Sequence, residues 1–567
     1  MKKEKIKAKA LLLIASLVIL ASLPFINKPF HVDDIYVISF ARHLESDPLD
    51  PYGFEIDTLS SRESAMAYTD PPLIPMYASF IISIFGEGET MLHLGFLVFP
   101  IIAAFSLFYI AKRLVPNPIF AALIALATPT FIVNSHSIMQ DVPLMALFLM
   151  ALALYIKGVD ENKDAFLLLG ALAAGLAFLA KYNGLLVLPL MLGYSIISHK
   201  PKTARYLGLT LLVILGFFAH NLYYYGEIHL FSSLSSWVAG SKGFSQGLFS
   251  WAQTTLVLLA ANLNYIGGAT IFFPFLIWPF AKKRMGALFM LGSFSLTLSV
   301  LLYIASKNFV SGQYSMLQLS LFFVFVTSAL FAIWIFFFDN RKLILKSFKM
   351  LFRMDFGKLS SGQKNTVFLL AWLAMIFIFN FTIAGGSARY NTLLLPPLAM
   401  LFVLHLGRYR TAKYLSAALI STLAVGYAVA FADYQYAETY RQIPTKLPFE
   451  ADVYFLGHEG FKYYMEKNGA IFMNSYGGNV NARDLIVKAP LSSPVVSDEI
   501  RNKLKNPEII EFNTIFPVRV LNSDAHAGFY KYGAGFLPFS LSLSPLEKFE
   551  VYTVDEGFKN EIIGNNS

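Results

Sequence analysis

Two adjacent carboxylates, Asp33 and Asp34, follow the first apolar segment of a very hydrophobic chain of 567 residues. Neighbouring acids at an apolar surface repel each other and are costly to desolvate, which raises the pKa of one of them. A carboxylate with a raised pKa is an effective general base. The structural alternative is helix capping, worth roughly 0.5–2 kcal/mol, in which an Asp accepts from free backbone amides. One Asp is enough for a cap, so the second residue of the pair favours a chemical role.

A third acid, Asp141, lies in SHSIMQDVPLMALF, immediately before a predicted helix. It can be read as a simple helix cap. If it instead lies close to Asp33, the two carboxylates could hold a metal or shape an acceptor pocket. The sequence leaves both interpretations open.

Two isolated cations complete the set of candidate residues. Lys181, in AGLAFLAKYNGLL, ends a hydrophobic segment, where extension of the side chain to the membrane surface is the simplest explanation. Arg389, in IAGGSARYNTLLLPPLAM, lies beside glycines that allow close backbone approach. Arginine at a membrane surface suits bidentate capture of phosphate, and equally the anchoring of lipid headgroups.

The elements that must position these residues are membrane helices. The chain is 56% hydrophobic and 16% aromatic, which is typical of a polytopic membrane protein. About 20 apolar residues span a bilayer as a helix, and the sequence contains roughly thirteen candidate segments, some of them short. They lie at 10–27, 91–111, 118–134, 142–157, 165–180, 183–198, 206–226, 262–281, 285–305, 314–338, 366–384, 392–406 and 414–432.

Lysine and arginine concentrate in alternate connections, which are therefore predicted to be cytoplasmic. This orientation places the N-terminus inside and Asp33, Asp34 and the C-terminal region outside. These clustered lysines and arginines also account for most of the net charge of +9, so the charge does not indicate a nucleic-acid partner. The absence of cysteine excludes disulfides, thiolate catalysis and cysteine-ligated metals. The basic clusters lie near the N-terminus and at 112–113, 200–205, 282–284, 341–364 and 408–413.

Two domains are predicted. Residues 1–432 form a transmembrane domain whose extracytoplasmic loop, 28–90, carries interfacial helices in HVDDIYVISFARHL and PPLIPMYASFIISIF. Residues 433–567 are less apolar and rich in turns, with strand-like runs such as DVYFLG and FEVYTV, and are predicted to form a small extracytoplasmic α/β domain. The basic stretch RKLILKSFKMLFRMDFGK is predicted to lie as a helix on the cytoplasmic membrane surface.

Taken in order, HVDDIYVISFARHL, YTDPPLIPMYASF, SIMQDVPLMALF, GLAFLAKYNGLL and SARYNTLLLPPLAM resemble the membrane glycosyltransferases of the C-type fold (GT-C). They are most similar to glycosyltransferase family 39, which contains the protein O-mannosyltransferases and the lipid A aminoarabinose transferase. The resemblance implies an enzyme that takes a sugar from a polyprenyl phosphate carrier at the outer leaflet, in the cell envelope.

The resemblance also implies roles for individual residues. Asp33 matches the catalytic acid, with Asp34 in place of the commoner Glu, and Asp141 matches the acid of the second outward loop. Lys181 and the pair Arg389 and Tyr390 match positions expected to hold the donor phosphate. Asp70, before Pro-Pro-Leu, departs from the family pattern, because relatives usually carry His or Lys there.

The implied chemistry is sound for these residue types. A base for the acceptor hydroxyl contributes about 10²- to 10⁴-fold, and cations stabilise the departing phosphate. A single displacement inverts the anomeric carbon, and the second acid of glycoside hydrolases is not required. Asp33, Asp34, Asp70 and Asp141 are hard oxygen ligands that suit a divalent ion, although no spacing demonstrates one.

Two other functions fit parts of the sequence. A transporter or flippase of lipid-linked sugars would usually carry ionisable residues inside its spans, whereas here the acids gather in surface loops. A catalytically inactive relative that binds or scaffolds is suggested only by Asp70. The sequence does not identify the sugar, the length of the carrier, or whether the acceptor is protein, lipid or glycan.

Overall fold

The computed structural model describes residues 2–57, 62–68, 70–240, 248–281, 284–307, 312–351, 357, 359–382, 386–407, 412–449, 452–473 and 480–554. Four parts of the sequence predictions lie outside these residues: the end of the span 366–384, residues 352–356 and 358 of the predicted cytoplasmic surface helix, the turn-rich stretch 474–479, and the final residues 555–567 of the C-terminal domain. Several of the loop cations used for orientation also lie outside them, namely Lys242, Lys282, Lys283, Arg408 and Arg410.

Helices dominate the chain as far as residue 442. The first ten are α1 (Lys2–Ser22), α2 (Asp34–Ser46), α3 (Leu73–Phe85), α4 (Glu89–Phe96), α5 (Val98–Leu114), α6 (Pro118–Leu126), α7 (Pro129–Asn134), α8 (Asp141–Glu161), α9 (Asp164–Ala180) and α10 (Val187–Ile197). The next ten are α11 (Gly208–Tyr225), α12 (His229–Gly240), α13 (Leu248–Ala269), α14 (Phe273–Ala281), α15 (Met285–Ser306), α16 (Met316–Asp339), α17 (Arg341–Leu351), α18 (Ser361–Thr382), α19 (Leu395–Gly407) and α20 (Ala412–Gln442). Helix α8 is central, because it packs against both α5 and α9.

The predicted α-helical, multi-pass membrane architecture is confirmed. In the described part of the chain, seven helical segments are long and apolar enough to cross a membrane. They are Glu89–Leu114, Asp141–Glu161, Pro201–Tyr225, Met285–Ser306, Met316–Asp339, Ser361–Asn380 and Ala412–Lys446. An eighth span is formed if Ala252–Ala269 and Phe273–Pro279, which are bent by 77°, count together.

The predicted number of thirteen spans is not confirmed. Four predicted spans coincide with shorter apolar helices or parts of them, Lys9–Phe25, Asp164–Ala180, Tyr182–Ile197 and α19. The span predicted at 118–134 is divided into α6 and α7, because Thr128 accepts a hydrogen bond from the backbone amide of Phe131 and Pro129 begins the second helix. Apolar composition alone did not reveal this break.

The first loop is a folded layer rather than a simple connection. Helices α2 and α3 pack against each other, and α2 also contacts a helix of the C-terminal region. Between them lies a short antiparallel hairpin of β1 (Glu55–Asp57) and β2 (Arg62–Ser64). Both faces of α2 are therefore covered by protein, as the buried side chains of Ile35, Val37, Ile38 and Phe40 indicate.

The C-terminal region contains the predicted sheet. Its elements are β3 (Val453–Leu456), α21 (Glu459–Lys467), β4 (Ile471–Phe472), β5 (Leu485–Lys488), α22 (Asp498–Lys503), β6 (Glu508–Phe512), β7 (Val518–Arg519), β8 (Leu521–Asn522), β9 (Ala527–Gly528), β10 (Ser540–Leu541) and β11 (Glu547–Thr553). Five strands form one sheet in the order β4-β3-β5-β11-β6, in which β3 is parallel to β4 and β5. Strand β11 is antiparallel to β5 and β6, and places Val551 opposite Val487 and Phe549 opposite Ile510.

This C-terminal region is docked on the first loop. Lys28 forms a buried ion pair with Asp433 of α20, and the Tyr530 hydroxyl donates to the other oxygen of Asp433 at 2.9 Å. A Cβ atom added at Gly460 would lie 2.1 Å from the carbonyl oxygen of Phe30, so only glycine allows α21 to come this close. The predicted boundary at 432/433 falls within α20, and the division into two domains stays a prediction.

Candidate active site

The chain turns sharply just before α2, and the turn directs the side chains of the two adjacent acids, Asp33 and Asp34, differently. Val32 has a φ of +49°, a left-handed conformation that a β-branched residue rarely adopts. Asp33, at the N-terminal end of α2, makes no capping hydrogen bond with its side chain. The carboxylates of Asp33 and Asp34 are therefore directed to different partners.

Asp34 is fully buried and joins two loops. One carboxylate oxygen accepts from the backbone amide of His31 at 2.9 Å, and the other accepts from the amide of Ile138 at 2.9 Å. Burial raises the pKa of Asp34 to about 7, although Lys28 and the two amides oppose the shift. Asp34 thus fixes the first loop to the loop that precedes Asp141.

We expect the Asp34→Asn variant to lose a pH dependence of stability. The folded protein binds the Asp34 proton more tightly than the unfolded chain, whose Asp pKa is about 3.9. Protonation of Asp34 therefore stabilises the folded state. Its contribution to the free energy of unfolding is complete below about pH 4 and declines by roughly 1.4 kcal/mol per pH unit toward pH 7. Thermal unfolding of the detergent-purified protein between pH 4 and 8 measures it, as the difference between wild type and variant. Asp47→Asn, an exposed position in the same loop, is the control and should retain the slope.

Asp141 and Lys181 form a second buried pair. The Lys181 ammonium donates to Asp141 Oδ1 at 3.0 Å, and the two side chains are only 15% and 3% exposed. Asp141 begins α8, whereas Lys181 follows the last residue of α9, so the packing of these helices brings the pair together. Asp141 is therefore paired rather than only a helix cap, and Lys181 is directed inward.

Arg389 connects this pair with Asp33. Its Nη2 lies 2.6 Å from Asp33 Oδ2, and its Nε lies 3.8 Å from Asp141 Oδ2. Within the described residues, neither Arg389 Nε nor Asp141 Oδ2 has a hydrogen-bond partner. The centroid of the Tyr390 ring lies 5.1 Å from Lys181 Nζ and 5.3 Å from the Arg389 guanidinium carbon. Asp33, Asp141, Lys181, Arg389 and Tyr390 thus converge on one place.

The segment that carries Arg389 is a 3-10 turn, Ala388–Leu394, which packs against α7, α8 and α13. Asn380 of α18 donates to the carbonyl oxygen of Tyr390 at 3.1 Å. The C-terminal region supports the turn from its other side, since the Ala388 amide and the Ser387 hydroxyl both donate to the carbonyl of Phe529, at 2.8 and 3.0 Å. These contacts hold the guanidinium in position.

Asp70 belongs to the same electrostatic neighbourhood. Burial raises its pKa, and Asp141 and Asp33 raise it further against the opposing influence of Lys181 and Arg389. The carboxyl that replaces the cation or histidine of the family pattern is therefore close enough to affect both cations. Its protonation would offset the charge reversal.

Two residues of the site were not singled out from the sequence. The Arg389 guanidinium donates to the sulfur of Met139 at 2.9 Å, and the buried Gln140 follows Met139 directly. Both precede Asp141 in the SIMQD segment, and this proximity in sequence was the only signal. They place polar and polarisable atoms around the guanidinium.

Asp33 is the carboxylate best placed to meet a substrate. Its side chain is 26% exposed, against 3% for Asp141, and Asp34 is inaccessible. Among the described residues, no group of three or more His, Asp or Glu side chains has the arrangement of a metal site. The site therefore combines one accessible carboxylate with two buried cations.

One protein family matches part of this chain. Residues 69–224 match the family model described as dolichyl-phosphate-mannose-protein mannosyltransferase. The predicted resemblance to membrane glycosyltransferases is confirmed, and over this segment the chain is homologous to them. No curated protein matches the sequence.

Solved structures of two membrane glycosyltransferases are similar to the chain. The oligosaccharyltransferase of Archaeoglobus fulgidus, in a complex with Zn and sulfate, is 13% identical with a TM-score of 0.46, covering 85% of this chain and 68% of that one. ArnT of Cupriavidus metallidurans in its apo state is 14% identical with a TM-score of 0.35, covering 84% and 92%. The same enzyme bound to undecaprenyl phosphate is 16% identical with a TM-score of 0.34, covering 84% and 93%.

Proposed function

We propose that the chain is an inverting glycosyltransferase that moves a sugar from a polyprenyl-phosphate donor to an acceptor on the outer face of the membrane. The observation that carries this proposal is the convergence of Asp33, Asp141, Lys181 and Arg389 from four separate segments. A base beside two cations is the minimum that displacement of a phosphate requires.

Lys181 and Arg389 are the proposed ligands of the donor phosphate. Arg389 Nε is a buried donor with no acceptor within the described residues, and a phosphate oxygen would satisfy it. Lys181 already lies beside Asp141, which keeps it charged in a low-dielectric site. Tyr390, with its ring next to both cations, screens them from the surrounding apolar side chains.

An apolar cavity of about 400 Å³ suits the isoprenoid chain of the donor. It lies between α13, α16, α18 and α19, and nine apolar side chains line it. Leu394 and Leu398, on its wall, follow Arg389 by only five and nine residues, so the cavity continues from the segment that would hold the phosphate. Ile378, also on the wall, is 64% exposed, which leaves the cavity open on the outside of the helical bundle.

In this function, Asp33 removes the proton of the acceptor hydroxyl as the oxygen attacks the anomeric carbon. The bond from that carbon to the phosphate oxygen breaks, and its electron pair leaves with the phosphate held by Lys181 and Arg389. One displacement inverts the anomeric configuration. Asp34 does not face the reacting groups in this arrangement, and acts as a positioning residue that fixes the loop of Asp33.

Blocking the apolar cavity tests the donor assignment. We expect Ala374→Trp, which fills the cavity from α18, to weaken binding of undecaprenyl phosphate about tenfold or more, because the chain loses apolar contact area. Ala371→Trp, an exposed position one turn earlier on the same helix, is the matched control and should bind as wild type does. If Ala374→Trp bound undecaprenyl phosphate as tightly as Ala371→Trp and the wild type do, this cavity would not be the donor site.

A further inference from the structure

A second cavity, of about 130 Å³, lies between α2, the β1–β2 hairpin and α21. Its walls carry the carboxylates of Glu55, Asp57, Glu459 and Glu466 and the ammonium group of Lys462. Lys462 pairs with Asp57 and Glu466, whereas Arg62 pairs with Glu55 and Lys531 pairs with Glu459. Tyr36 and Phe54 add two aromatic rings to the lining. The cavity thus joins hydrogen-bond acceptors and ring faces from three separate segments.

Glu459 gives this cavity the character of a binding site. Only 7% of the residue is exposed. Its φ of +61° is a strained conformation for a glutamate. One oxygen accepts from Ser493 and Lys531, at 3.0 and 3.1 Å. The other oxygen, Oε2, meets no donor in the described part of the chain, although a buried carboxylate oxygen normally has one. A ligand hydroxyl in the cavity would provide that donor.

The cavity lies near the proposed base. Tyr36 lines it and lies one helical turn after Asp33 on α2, within electrostatic range of Asp33, Glu459 and Asp57. A molecule held against Tyr36 therefore lies about one helical turn from Asp33. The apolar cavity that suits the donor chain lies instead beyond Arg389.

We propose that this cavity binds the acceptor, and that the acceptor is a saccharide without negative charge. Ionised carboxylates only accept hydrogen bonds, and sugar hydroxyl groups donate them from every face of the ring. The C–H faces of a sugar pack on aromatic rings such as Tyr36 and Phe54. Lys462, Lys531 and Arg62 pair with these carboxylates, so one negative charge remains in excess, and this charge disfavours a phosphorylated or carboxylated acceptor. This inference rests on the proposed function, because it assigns the second substrate of the same reaction.

Direct binding separates the acceptor site from the donor site. Saturation-transfer NMR of the detergent-purified full chain would use maltose, maltose 6′-phosphate and a short serine-rich peptide as probes. We expect maltose to bind, and the other two to bind at least about tenfold more weakly because of charge repulsion or missing hydroxyl groups. Glu459→Gln should weaken maltose binding about tenfold. Glu511→Gln, at an exposed position on β6, is the control and should not.

Undecaprenyl phosphate binding is measured on the same variants. Retained binding of this lipid by Glu459→Gln, together with lost maltose binding, supports the acceptor site. Equal maltose binding by wild type and Glu459→Gln, or preferred binding of the phosphorylated sugar or the peptide, overturns it and leaves the donor assignment intact. Failure of the wild type to bind the lipid contradicts the proposed function instead.

Discussion

Replacing Asp33 with asparagine is expected to lower the rate of sugar transfer by about 10²- to 10⁴-fold, the usual contribution of a general base. The amide keeps the size of the side chain and can still accept a hydrogen bond from Arg389, but it cannot take the proton of the acceptor. The measurement is the initial rate of product formation by purified protein with a polyprenyl-phosphate sugar. Binding of undecaprenyl phosphate should be retained.

Two controls separate chemistry from folding for this variant. Asp47→Asn removes an exposed acid from the same loop and should transfer sugar at the wild-type rate. The thermal unfolding midpoint of Asp33→Asn is measured alongside; the amide can still accept from Arg389, so the variant should remain folded at the assay temperature although it loses the charge of this ion pair. Full activity of Asp33→Asn would remove Asp33 as the base.

Replacing Arg389 with alanine is expected to reduce kcat/KM for the donor by about 10²- to 10³-fold, as for other groups that stabilise a departing anion. The variant lacks the guanidinium whose Nε is free to bind a phosphate oxygen. It also leaves Asp33 and Asp141 without the cation that they share. Arg389→Lys keeps the charge but not the planar fork, so we expect partial activity with a raised KM for the donor. Steady-state kinetics with varied donor concentration measures both effects.

Arg501→Ala is the control for the arginine variants, because Arg501 is 67% exposed and pairs only locally with Asp498. It should leave the kinetic constants unchanged. An Arg389→Ala enzyme with normal kcat/KM for the donor would show that the guanidinium has a structural role instead. A change confined to the KM for the acceptor would indicate that Arg389 binds the acceptor instead of the donor.

Sequence reasoning found most of the site because its members are charged residues in an apolar chain. Asp33, Asp141, Lys181 and Arg389 stand out for this reason, and the structure brings them together. The family motifs gave the order of these residues along the chain and their implied roles. Their mutual distances depend on the packing of α8 against α9 and on the turn at Ala388–Leu394, which a pattern of apolar residues does not determine.

The different positions of Asp33 and Asp34 were not predictable. Adjacent acids look equivalent in sequence, and only the left-handed backbone of Val32 and the distant amide of Ile138 distinguish them. The hydrogen bonds from Ala388 and Ser387 to Phe529, which support the segment of Arg389, join residues 141 and 142 positions apart and have no local signal in the sequence. The predicted helix boundaries were wrong where a hydroxyl group or a proline interrupts an apolar run, as at Thr128 and Pro129.

The most direct test of the proposed function is the fate of a polyprenyl-phosphate sugar incubated with purified wild-type protein in vesicles and an acceptor saccharide. We predict release of free polyprenyl phosphate in step with a new glycosidic bond of inverted anomeric configuration, and neither product with Asp33→Asn. Movement of the intact lipid-linked sugar across the vesicle membrane without formation of either product would contradict the account and favour a transporter.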